Sequence, residues 1–295
     1  MKTKFQNNVA IAVIRVIAVL VVLILAFLLG DILISGVPHI SWHFLTAPSQ
    51  AFTSGGGIGV QLFNSIYLLL LTLIISFPIS LGAGIFLSEY APKNIFTATV
   101  RMAIEVLSSL PSVVVGLFGF LLFVVQLDMG FSILSGAIAL TFFNLPLLTR
   151  NIEESLRAVP DLQREAGLSL GLSKWRTVIK VILPEALPGI ITGVVLGAGR
   201  VFGEAAALIY TAGQSATNID FGNWNPFNAT SPLNLMRPAE TLAVHIWKIN
   251  SEGVMPDAAA VSAGSSAVLI IAVLIFNFSA RVIGNQLYRK LTATK

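Results

Sequence analysis

Apolar residues along this chain gather into long unbroken runs, with polar residues confined to the stretches between them. Six runs stand out, at about 10–35, 61–88, 109–127, 131–149, 189–212 and 262–285. Each is close to or above the roughly 20 residues that cross a bilayer. Backbone groups in hydrocarbon must be satisfied within their own segment, so these runs are predicted to be helices. Pro78, Pro111 and Pro146 are expected to end or kink the helices that carry them. Gly193 and Gly197 form a small-xxx-small pair in the fifth run, which allows another helix to pack closely. The fold class predicted is an all-α integral membrane protein of about six transmembrane helices.

Charge orients the chain. With the N-terminus inside, the inner segments are 1–9, 89–108, 150–188 and 286–295. They hold fourteen of the 18 Lys and Arg, with Arg281 counted at the inner end of the last run. The outer segments hold only Arg237 and Lys248, so both termini are expected in the cytoplasm. The first run is too long for a cleaved signal peptide, and Gly30-Asp31-Ile32-Leu33 offers no small-residue cleavage site. It reads as an anchor, with Arg15 reaching toward the inner interface.

Composition narrows the function. The chain is 55% hydrophobic and 11% charged, too apolar for a soluble domain. It has no cysteine, which removes disulfides and thiolate chemistry. The basic residues sit in short loops between spans, so nucleic-acid binding is excluded. His39, His43 and His245 fall in the outer segments 36–60 and 213–261 without metal-site spacing, and are expected to face solvent. No metal is assigned. The second of these outer segments contains Ala239–Ile249, which reads as a short interfacial helix.

The inner segment 150–188 is the most distinctive. It carries Arg150, Arg157, Arg164, Lys174, Arg176 and Lys180. Pro160-Asp161 reads as a helix start, with Leu162, Ala166 and Leu170 on one apolar face. Gly171 is suited to a left-handed cap and Ser173 to capping a second helix, which Pro184 is expected to stop. Two short amphipathic helices joined by a glycine turn would make a compact cytoplasmic knob.

Glu165-Ala166-Gly167, three residues, Gly171, nine residues, Val181, one residue, then Leu183-Pro184 resembles the coupling loop of ATP-binding-cassette (ABC) importer permeases. In that family the loop reads Glu-Ala-Ala, Gly, Ile and Leu-Pro at the same spacing, so Gly167 and Val181 are departures. The resemblance implies type I importer permease architecture and docking of an ATPase on this loop. No Walker A loop is present, so no cofactor is expected on this chain; ATP and Mg would belong to the partner ATPase. Residues 1–60 divide off as an anchor span and first outer loop, and 61–295 as the permease core.

Arg200 and Glu204 sit deep in the fifth run, four residues apart, where they can pair on one helix face. Charges at that depth cost at least ~2.5–3.5 kcal/mol, which marks them as candidate path residues. An arginine suits an oxyanion, and hydrogen phosphate, unlike sulfate, can also donate a hydrogen bond to a carboxylate. Leu110-Pro111-Ser112-Val113, Gly116-Leu117-Phe118-Gly119 and Gly199-Arg200 through Gly203-Glu204-Ala205-Ala206 resemble the phosphate-specific ABC permeases. Thr241-Leu242-Ala243-Val244 and the region Asn277 to Arg281 favour PstA-like over PstC-like members. The resemblance implies a PstC-like permease partner, two PstB-like ATPase subunits and an extracytoplasmic PstS-like phosphate-binding protein, with membrane lipid around them. A PstC-like subunit and a sulfate or molybdate permease remain the alternatives. An intramembrane enzyme is disfavoured by the absence of hydrolase and zinc-protease motifs.

Overall fold

The computed structural model describes residues 2–50, 52–215, 217–253 and 255–292. Residues 1 and 293–295, at the ends of two predicted inner segments, lie outside the described residues. Among the described residues the chain is helical, with no strand. In chain order the elements are α1 (Lys2–Gly36), α2 (Trp42–Thr46), α3 (Gly59–Ile85), α4 (Ile95–Ser108), α5 (Ser112–Gly119) and α6 (Ile133–Arg157). They continue with α7 (Asp161–Ser169), α8 (Lys174–Thr177), α9 (Leu183–Phe202), α10 (Ala206–Thr211), α11 (Leu242–Glu252) and α12 (Ala258–Thr292). Three π-helical segments extend them: Phe86–Tyr90 after α3, Phe120–Gln126 after α5 and Val178–Ile182 between α8 and α9.

Five helical stretches are long and apolar enough to cross a membrane, or six with the bent pair Ile95–Ser108 and Ser112–Gln126, which meet at 97°. The bend falls at Leu110-Pro111, where the proline leads into α5 as its N-cap. Part of the predicted inner segment 89–108 is therefore a helix, pinned to α6 by Arg101–Glu153 (2.8 Å) and Arg150–Glu105 (3.5 Å). Its Ile95, Phe96 and Met102 stay exposed.

Pro78 and Pro146 lie inside α3 and α6 without ending them. Two expected boundaries are corrected. The fifth span does not occupy 189–212: it runs continuously from Lys174 to Phe202. Pro184 starts α9 instead of stopping its predecessor. The π segment before it lets the Leu183 N–H reach back to the Val178 carbonyl, a wide turn that ends just where proline has no N–H to give.

The core forms around α6. Leu140 and Ala137 pack with Leu68 of α3, Ala198 and Val201 of α9, and Leu208 of α10. Nearer the inner end, Ile152 and Leu156 pack with Val178, Ile182 and Ile190. At the outer end, Phe44, Ile58, Leu242 and Val268 join the first loop to α11 and α12. By contrast, α1 is exposed along most of its length, as a helix bathed in lipid can be. Its outer end meets α12 where Gly36 packs on Ala263 and Ala267.

Candidate functional site

Arg200 and Glu204 do not form the expected pair. α9 ends at Phe202, and Gly203 caps it by donating to the Gly199 and Val201 carbonyls. The break separates the two side chains. Arg200, in the last turn, complements the negative end of the helix dipole and lies 3.7 Å from the ring centroid of Phe143 in α6. Among the described residues it has no carboxylate partner. Glu204 is buried, and its Oε1 accepts the Ala207 N–H (3.1 Å), capping the start of α10. The result is a half-buried cation without a counter-charge beside a helix break.

The glycines of α9 set its distance from α6. A Cβ on Gly197 would come within 2.8 Å of Asn144 Oδ1, on Gly193 within 2.8 Å of Asn151 Cβ, and on Gly189 within 2.6 Å of Ser155 Oγ. The small-residue pair therefore serves packing, as its spacing predicts. Asn144, adjacent to the phenylalanine under Arg200, is fully buried, and neither of its amide atoms has a partner among the described residues. Sequence reasoning passed over it; an asparagine inside an apolar run was the available signal.

The segment 150–188 folds much as the spacing predicts at its turn. Pro160 and Asp161 open α7, Gly171 adopts φ +78°, and Ser173 Oγ accepts the Arg176 N–H (3.4 Å). Only a glycine takes that backbone angle freely. Gly167 is buried against Thr177, whose Cγ2 would stand 2.6 Å from an added Cβ, so the departure from alanine fits a close approach. Glu165 and Ala166 point outward, while Leu183 and Pro184 are half-buried at the start of α9. The face carrying Leu162, Ala166 and Leu170 does not pack within the knob: Leu170 is 82% exposed, and Leu162, Leu168 and Trp175 join it in solvent.

The outer end holds a polar cluster that sequence reasoning missed. Glu240 is 1% exposed. Its carboxylate accepts a hydrogen bond from Gln61 Nε2 (2.8 Å) and stands 3.2 Å from His245 Nδ1 and 3.7 Å from Lys248 Nζ. Asn64 links this group to Arg237 by donating to the Glu240 carbonyl (2.9 Å) and accepting from Arg237 Nη2 (2.8 Å). Burial lowers the Arg237 pKa to about 10, still far enough above neutrality to keep its charge. His245 is thus buried, against the expectation of a solvent-facing loop histidine. Its position, one turn into α11 on the side facing Glu240, is a tertiary fact. A cavity of about 370 Å³ opens beside the cluster, lined by Ser49, Glu240, His245, Lys248 and Glu252. Among the described residues, no group of acidic and histidine side chains is arranged to hold a metal.

Comparison with known proteins agrees with this architecture. Residues 80–293 match the family described as binding-protein-dependent transport system inner membrane component. The chain is 50% identical over 293 residues to the probable ABC transporter permease protein YqgI of Bacillus subtilis, covering 99% of this chain and 100% of that protein. It is 35% identical over 233 residues to the phosphate transport system permease protein PstA of Yersinia pestis, covering 78% and 73% of the two chains. Its fold is similar to an inward-facing structure of the MetNI methionine ABC transporter, with TM-score 0.57 and 19% identity over 78% of this chain and 94% of the other. With several apolar helices and an inner-membrane family match, it is a multi-pass protein of a prokaryotic plasma membrane. The chain belongs to the inner-membrane permease components of binding-protein-dependent ABC importers, a family of transport subunits without catalytic activity of their own.

Proposed function

We propose that this permease carries inorganic phosphate into the cytoplasm as the PstA-like member of a four-subunit membrane complex. The observation that supports it most is Arg200: a cation in the membrane region, stacked on Phe143, with no carboxylate partner among the described residues. Such a charge is costly unless an anion visits it. Hydrogen phosphate suits the site because it accepts from a guanidinium and keeps a proton to give to a carboxylate, here Glu204. The PstA relatives point to the same substrate.

In this reading a PstC-like permease completes the path, and a PstS-like protein delivers phosphate from outside. Two PstB-like subunits hydrolyse ATP with Mg, and both termini of this chain lie in the cytoplasm. The loop Glu165, Ala166, Gly167, Gly171, Leu183 and Pro184 receives one ATPase subunit, which touches the exposed α7 face. ATP binding closes the ATPases and moves α7, the permeases rock outward, and hydrolysis returns them inward. No bond in phosphate breaks.

The test is ATP-dependent uptake of labelled phosphate and of sulfate by proteoliposomes carrying the purified complex. Phosphate uptake without sulfate uptake is the expected result, and sulfate uptake without phosphate overturns the substrate. Arg200→Ala is expected to lower phosphate uptake by about 100-fold with the complex still assembled, since losing one side of a buried charge contact costs about 2–5 kcal/mol.

A further inference from the structure

We infer that the ion pair between Arg164 and Glu89 is the clamp through which α7 drives the second span, making both positioning residues for transport. The inference rests on the coupling reading of the 165–184 loop. α7 is tied through the backbone to α6 on one side and to α8 and α9 on the other. It has no such tie to α3, which lies more than seventy residues earlier in the chain. Among the described residues, the ion pair that joins them is made by one guanidinium.

Arg164 Nη2 donates to Glu89 Oε1 (2.9 Å), and Nε donates to Glu89 Oε2 (3.3 Å), a two-pronged contact that fixes direction as well as distance. The same side chain donates from Nη2 to the Leu156 carbonyl (2.7 Å), and from Nη1 to the Val159 carbonyl and to Asp161 Oδ1 (3.1 Å). It therefore closes the free carbonyl end of α6, binds the first turn of α7 and holds the π turn Phe86–Tyr90 that extends α3. Three elements meet on it.

The Glu89 side chain is 5% exposed and accepts a further bond from Ser88 Oγ (3.0 Å), so a second donor holds the carboxylate in place. Hydrogen bonding to Glu89 holds the Arg164 pKa above its ordinary value, so the guanidinium stays charged. A second contact points the same way: Lys174 Nζ lies 4.7 Å from the ring centroid of Tyr90, one residue beyond Glu89. A surface pair that merely decorated the knob would be solvated and singly bonded. This one is shielded, forked and shared among three helices.

The consequence is mechanical. α3 is the span most extensively packed on α6; it buries Thr72, Ser76 and Ser80, and Ser80 Oγ donates to the Leu145 carbonyl of α6 (3.4 Å). A push on α7 that reaches α3 through Glu89 shifts this polar seam together with the knob.

The experiment uses the assembled complex. The chain has no cysteine, so Ser169→Cys on α7 and Ile79→Cys on α3 are its only labelling sites, and the purified chain is spin-labelled before it is assembled with its partners. With the clamp intact, the label distance stays constant when ATP is added. In Glu89→Gln it is expected to change on ATP addition, and phosphate uptake per ATP hydrolysed is expected to fall about tenfold, within the usual range of coupling between sites. Glu89→Asp, which keeps a carboxylate in front of the guanidinium, is expected to retain coupling that Glu89→Gln loses. Unchanged label distances and unchanged uptake per ATP in Glu89→Gln overturn the clamp. If Glu89→Gln prevents assembly, Arg164→Lys, which keeps the charge and loses the fork, decides: lower uptake per ATP with a changing label distance supports the clamp, and parental values overturn it. A parent complex that hydrolyses ATP but takes up no phosphate refutes the substrate instead, and the label distances still decide the clamp.

Discussion

The two ends of this molecule handle polarity in opposite ways. At the end that carries the 213–257 excursion, ionisable side chains are buried: Arg237, Glu240 and His245 are all enclosed, with Gln61 and Asn64 of α3 as partners. At the opposite end, α7 and α8 hold Arg164 inward and leave Leu162, Leu168, Leu170 and Trp175 in solvent. A buried charge that faces an opposite charge fixes a conformation, because breaking the contact strands a desolvated ion. Exposed apolar side chains stabilise nothing until something covers them. One end is built to hold itself together, and the other leaves apolar side chains uncovered.

That contrast can be broken by mutation. The largest effect is expected from Glu240→Ala, which removes the carboxylate facing His245 and Lys248. It should lower unfolding stability by about 3–5 kcal/mol, read from thermal unfolding of the purified chain in nanodiscs. A loss below about 1 kcal/mol, the scale of a surface pair, would mean that the cluster does not hold the outer loop. Leu170→Glu addresses the opposite end. Its unfolding is expected to stay within about 0.5 kcal/mol of the parent. Capture of the co-expressed ATPase is expected to fall about tenfold, the loss of a contact worth roughly 1.4 kcal/mol. Equal capture by parent and variant would remove α7 from the docking face.

Gly171→Val sharpens the comparison by straining the knob's turn without changing its surface. The left-handed backbone there costs a β-branched residue about 1–2 kcal/mol, visible as weaker ATPase capture with the spans intact. The smallest effect is expected from Ser173→Ala, which deletes a helix cap worth about 1 kcal/mol and should reduce capture only a few-fold.

The sequence was most informative where one residue type answers one local demand. Gly171 at the left-handed turn, Ser173 as a cap and Gly193 with Gly197 as a packing stripe are all recoverable from spacing alone. The Lys and Arg distribution likewise needs no coordinates. The helix that ends at Phe202 was not legible: Gly197 through Glu204 reads as apolar and helical, and only the tertiary setting of α10 makes Glu204 a cap and not a partner for Arg200. Pro184 misled for a related reason, since a proline stop can be bypassed by a wide turn before it. The cluster around Glu240 was invisible because its members come from α3 and from a loop more than 170 residues later. No local period reports such a meeting.

The wide turn at Val178–Ile182 also sets a phase. Each α-helical residue advances the direction of a side chain by about 100°, and a π turn absorbs one residue's worth of that rotation. The segment thus works as a dial between α8, whose Thr177 must face Gly167, and α9, whose glycines must face α6. Removing a single residue within it would keep every contact type available and turn the two halves out of step. The angular relation between knob and membrane span is therefore encoded in a residue count, not in any one side chain.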